Sequence, residues 1–136
     1  MIQQIKVVDR DIVAIEAIEE FNTTDAYLCE NLLQQKMSKG YDHVNLLIKF
    51  DHKKISQTQI EIFLKESLKN IRKLNHLGHL ALVLRIGSGN CLQVPLGQHF
   101  FERSARGWGE QYFDLSQIYS AWEFVSPIDH ERTMII

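Results

Sequence analysis

Apolar side chains recur along this chain at two spacings, and the switching between them predicts alternating strands and helices. Ile2 to Val8 is rich in β-branched residues, Asp9-Arg10-Asp11 interrupts, and Ile12-Val13-Ala14-Ile15 resumes. A strand, a polar turn and a second strand predict an antiparallel hairpin. Beyond it, Leu28, Leu32, Leu33 and Met37 follow helical spacing. Asn22-Thr23-Thr24-Asp25 supplies capping oxygens for that helix, with an acid at the positive end of its dipole. Gly40 stands where a left-handed residue would stop it.

His43 to Phe50 is a short apolar run, as expected of a strand buried on both faces. Ser56-Gln57-Thr58-Gln59 has the form of a capping box. Ile60, Phe63, Leu64, Leu68 and Ile71 then trace one helix face, opposite Glu61, Lys65, Lys69 and Lys73, and Gly78 is expected to end that helix. His79 to Ile86 predicts the next buried strand. The Gly87-Ser88-Gly89-Asn90 loop opens a third helical region running to about Gly107, its regular part starting near Val94 or Pro95. Glu110 to Phe113 predicts a last strand. Asp114-Leu115-Ser116-Gln117 caps a final helix striped by Ile118, Ala121, Trp122 and Val125 and closed by Pro127. The order ββαβαβαβα predicts a single α/β domain over residues 1–127, with a tail at 128–136. Strands spaced by helices imply right-handed crossovers. The sheet is expected to be mixed but mainly parallel, with an N-terminal hairpin and helices packed on it.

Composition narrows the class. A chain of 136 residues, 45% apolar and 24% charged, is long enough to bury a core without cross-links. A net charge of −2 argues against nucleic acid as partner, since phosphate binding calls for a basic stripe. Cys29 and Cys91 form no CxxC and read as free thiols in a reducing compartment. The first residues lack the features of a signal peptide, and no run reaches the roughly 20 apolar residues of a membrane span. The expectation is a soluble, cytoplasmic protein.

Candidate chemistry is sparse. The Gly87-Ser88-Gly89-Asn90 loop sits where ligands bind in open α/β sheets, and Ser88 and nearby backbone N–H groups would suit a phosphate. It lacks the glycine spacing of a dinucleotide fingerprint, a Walker loop or a nucleophile elbow, and a plain turn accounts for it. The six histidines, among them His76, His79 and His99, show no metal-binding spacing, and neither metal nor cofactor is expected. Cys91 would need a distant histidine and acid to act as a nucleophile. The segment from Phe100 to Trp108 interleaves Phe100, Phe101 and Trp108 with Arg103 and Arg106. Such a helix can line an apolar pocket or rest in a membrane interface with its arginines toward anionic headgroups, or it can be a core helix with its arginines in water. Ser56 serves as an N-cap, and phosphate added there would alter partner docking.

Ala81-Leu82-Val83, the Gly87-centred loop, and Trp108-Gly109-Glu110-Gln111-Tyr112-Phe113-Asp114 followed by Ala121 resemble the bacterial SpoIIAA-like family. The resemblance runs from about Val8 to Val125. It implies a STAS-like fold, related to anti-sigma-factor antagonists and more loosely to CRAL-TRIO lipid-binding domains. It implies a non-enzymatic binding module for a small apolar or lipid-like ligand, with peripheral membrane contact, or alternatively a regulator that binds a protein partner. Phe124 stands where the family has a C-terminal tryptophan, and Cys91-Leu92-Gln93 where a tryptophan is expected. Ser56 lies at a helix start comparable to that of the antagonists, without their Asp-Ser-Ser-Gly surroundings.

Overall fold

Five strands lie side by side in the order in which the chain makes them. The computed structural model describes residues 2–6, 10–18, 22–50, 57–73, 76–84 and 109–126. Strands β1 (Ile2–Lys6) and β2 (Ile12–Ala17) are antiparallel, and β3 (Val44–Phe50), β4 (Leu77–Leu84) and β5 (Glu110–Asp114) continue parallel to β2. The helices are α1 (Thr23–Ser38), α2 (Gln57–Lys73) and α3 (Ile118–Val125). The result is an α/β fold with one mixed five-stranded sheet, its hairpin at the N-terminal edge as the sequence predicts. The predicted order differs from the described one by a helix between β4 and β5, which falls outside the described residues, as does the tail at 128–136.

Strand alternation builds two cores. Val13, Ile15 and Ala17 of β2, Leu46 and Ile48 of β3, and Leu80, Leu82 and Leu84 of β4 face α1 and α2. Ile12, Ala14, Leu47, Ala81, Val83 and Phe113 point to the opposite face, where Ala121 and Val125 of α3 cluster with them. The two crossover helices share the first face, as right-handed βαβ units in one sheet direction require. β3 and β4 are covered on both sides, which is why they read as continuous apolar runs rather than alternating ones.

Local chemistry sets the helix ends. Asn22 caps α1 through a reciprocal box, its side chain accepting from Asp25 N–H while Asp25 accepts from Asn22 N–H at 2.9 Å. Gly40 takes φ of +98°, the left-handed turn that ends the helix, and donates to the Met37 carbonyl. Asp114 makes the predicted capping box with Gln117, but the residues it starts, Leu115–Gln117, form one turn of 3₁₀-helix before α3 begins. α3 ends at Val125, where the Ser126 hydroxyl donates to the Trp122 carbonyl.

Two expectations are corrected. The buried face of α1 is Ala26, Cys29 and Leu33, whereas Leu28 is 47% exposed. The small side chains let α1 sit close to α2, with Cys29 against Ser67. Gly78 does not end a helix: α2 stops at Lys73, and Gly78 is buried inside β4. There it forms part of a bulge, since Val44 pairs with Leu77 but Leu46 with Leu80, so Gly78 and His79 together stand opposite Asn45.

Candidate functional site

The most developed polar arrangement among the described residues grows from that bulge. Asn45 is the one polar residue in the buried stretch from Val44 to Ile48, and its side chain is 3% exposed. A buried amide costs stability unless its donors and acceptor are used. Asn45 uses both ends. Its Oδ1 accepts the His79 backbone N–H at 2.7 Å, restoring a bond where the bulge interrupts the ladder. Its Nδ2 donates to the Val125 carbonyl at 2.9 Å, fastening the last turn of α3 to the sheet.

His79 lies on the second face, half-buried. Its Nδ1 accepts the Gly109 N–H at 3.3 Å, and its ring meets Phe124 of α3 with centroids 4.6 Å apart and planes tilted by 55°. Phe124 in turn lies 5.8 Å from the ring of Phe113. Burial lowers the pKa of His79 from the ordinary histidine value. A donor aimed at Nδ1 fits the neutral ring with its proton on Nε2. His76 begins the same strand edge differently, its Nδ1 donating to the Asp42 carbonyl at 2.8 Å while its own carbonyl accepts from Val44 N–H. The two histidines therefore have separate structural partners and do not converge.

Cys29 lies fully inside the first core, and burial pushes its thiol up to about 12. Its thiolate is the form that would react, and it is suppressed. In a Cys91→Ser chain at pH near the ordinary thiol value of about 8.5, a thiol-specific disulfide reagent is expected to label Cys29 only as fast as the protein unfolds. Rapid labelling under native conditions would contradict the burial. Among the described residues no three His, Cys, Asp or Glu side chains are grouped to hold a metal ion, and no helix is long and apolar enough to cross a membrane.

Phe100, Phe101, Arg103, Arg106, Trp108, Ser88 and Ser56 lie outside the described residues, as do Cys91, His99 and Glu102. The structure does describe the ends between which the aromatic and arginine segment is strung. The chain leaves β4 at Leu84 and is next described at Gly109, whose N–H reaches His79 and whose carbonyl accepts from Leu80 N–H. Sequence reasoning missed Asn45 and the structural work of His79. The signal available was a lone asparagine inside an apolar run, which demands a partner.

These features define an α/β protein on a mixed five-stranded sheet, with two helices on one face and a short helix fastened across the other. Comparison with protein-family models, curated proteins and solved structures found no match to this chain.

Proposed function

We propose that this chain is a non-enzymatic binding module of the SpoIIAA-like kind, taking a small apolar or lipid-like ligand and meeting membrane surfaces peripherally. Phe100, Phe101 and Trp108 would bury the apolar part, and Arg103, Arg106 and Ser88 would make charge-assisted contacts to an anionic head. The observation that carries this reading is the anchoring of Gly109. It is the residue directly after Trp108, and it is bonded to His79 and Leu80 beside Phe124 and the second apolar face. The binding segment thus rejoins the sheet at an apolar surface. Further support comes from the α/β architecture, one mixed five-stranded sheet with its hairpin at the N-terminal edge.

Native mass spectrometry of protein purified gently from bacterial cells, followed by denaturing spectra, is the test. An added mass that disappears on denaturation is expected. Phe100→Asp is expected to cut ligand occupancy and flotation with anionic vesicles at least about tenfold, the effect of losing ~1.4 kcal/mol, with an unchanged thermal melt. A variant that binds normally would overturn the site. A bare mass without vesicle binding would favour the protein-partner regulator, docking near the helix start at Ser56.

A further inference from the structure

Helix α1 distributes its charge the wrong way round for a helix facing water. A surface helix ordinarily buries an apolar stripe and presents charged side chains to solvent. The three charged residues of α1 are instead withdrawn: Asp25 is 5% exposed, Lys36 is 9% exposed and Glu30 is half-buried. Every exposed residue of the helix is uncharged, and two of them are the large Tyr27 and Leu28, 62% and 47% exposed. The neighbouring α2 differs, since it shows solvent both Lys65 and Glu66 beside its exposed Ile62.

We propose that the outer face of α1 is an interface at which two copies of this chain pair, helix against helix, about a two-fold axis. The pairing is independent of what the chain binds. Spacing supplies the seam. Thr24, Tyr27, Leu28, Asn31, Gln34 and Gln35 recur three and four apart, so they form one straight stripe opposite the buried Ala26, Cys29 and Leu33. A two-fold through Asn31 sets the two helices antiparallel. Each Asn31 then meets its own counterpart, and Tyr27 and Leu28 lie over Gln35 and Gln34 of the second copy. An amide carries donor and acceptor together, so identical side chains satisfy each other across the axis.

The missing charge selects this occupant. Two chains of net charge −2 repel, and they do so least where an uncharged face meets itself. A self-complementary patch is what two-fold pairing requires, and depletion of charge with enrichment of tyrosine marks the core of protein interfaces. A strongly basic or acidic partner finds no opposite charge on the stripe, and an anionic membrane finds no cation there. At 1.5 Å per residue α1 is about 24 Å long, so one helix pair buries less than ~1,200 Å² in total. Association is therefore expected in the micromolar range or weaker.

Sedimentation velocity of the full chain from ~5 to ~500 µM, a range that brackets such an affinity, tests the pairing. The average mass is expected to rise from one chain toward two. Asn31→Glu and Asn31→Lys each place like charges on the axis and should raise the dissociation constant at least about tenfold. Mixed in equal amounts, the two variants should pair again, because opposite charges then meet. Asn31 is exposed, so both variants should keep the natural thermal melt. A natural chain that stays monomeric throughout would overturn the proposal and leave α1 to a partner of another sequence. Pairing that both variants leave intact, or a mixture that fails to pair, would also overturn it. Should an Asn31 variant not fold, Leu28→Glu takes its place, with loss of pairing expected and undiminished pairing decisive against the interface.

Discussion

Asn45→Ala is expected to destabilise the protein by about 2–4 kcal/mol, far more than its size suggests. Truncation removes the acceptor for the His79 N–H and the donor for the Val125 carbonyl together. Each group left unsatisfied in a buried site costs about 1–3 kcal/mol. The loss should be uneven. The start of β4 and the end of α3 lose protection first, because the missing amide bridged them, while the α1 and α2 side of the sheet keeps its contacts. Urea unfolding of natural and variant chains gives the total, and hydrogen exchange gives the distribution. A loss below about 1 kcal/mol would mean that other groups or water take over both bonds, and the bridge would then be incidental.

Phe63→Ala is expected to cost about 3–5 kcal/mol, the usual range for emptying a buried aromatic position. Phe63 is 2% exposed and sits on the face of α2 that also buries Ile60, Leu64 and Leu68 in the first core. Its carbonyl accepts the Ser67 hydroxyl at 2.7 Å, a bond within α2 itself. The chemical denaturation midpoint is the measure. A cost under 2 kcal/mol would show that α2 shifts to fill the space.

The two predictions fall on residues of unequal legibility. Phe63 belongs to a stripe at helical spacing, and a local period is enough to place it on the inner face of α2. β3 and β4 are equally legible, since strands covered on both faces must be apolar throughout. Asn45 could be marked as anomalous but not explained, because its partner Val125 lies 80 positions further along the chain. No local pattern contains that distance. On α1, Leu33 is buried and Leu32 and Met37 pack on the first core, and Leu28 alone of the stripe turns outward. Large Leu28 suggests an inward face, but close packing of α1 and α2 is served by Ala26, Cys29 and Ser67, so Leu28 is left outside. Gly78 carried two meanings, helix stop or strand irregularity, and the pairing of β3 with β4 selects the second. His76 therefore lies just before β4 and His79 within it. The aromatic and arginine segment, legible in the sequence as composition, lies outside the described residues.

The outer border of the sheet has its own irregularity. Gln4 pairs with Ile15 and Lys6 with Ala14, so Ile5 is an extra residue in β1, and it is 37% exposed. A straight outer strand offers a row of backbone donors and acceptors on which a foreign chain can add itself. The interruption at Ile5 twists that row, and the charge of Lys6 discourages the approach of a neighbour. The β1 edge is thereby blunted against fibrous self-assembly by one surplus apolar residue and the cation beside it.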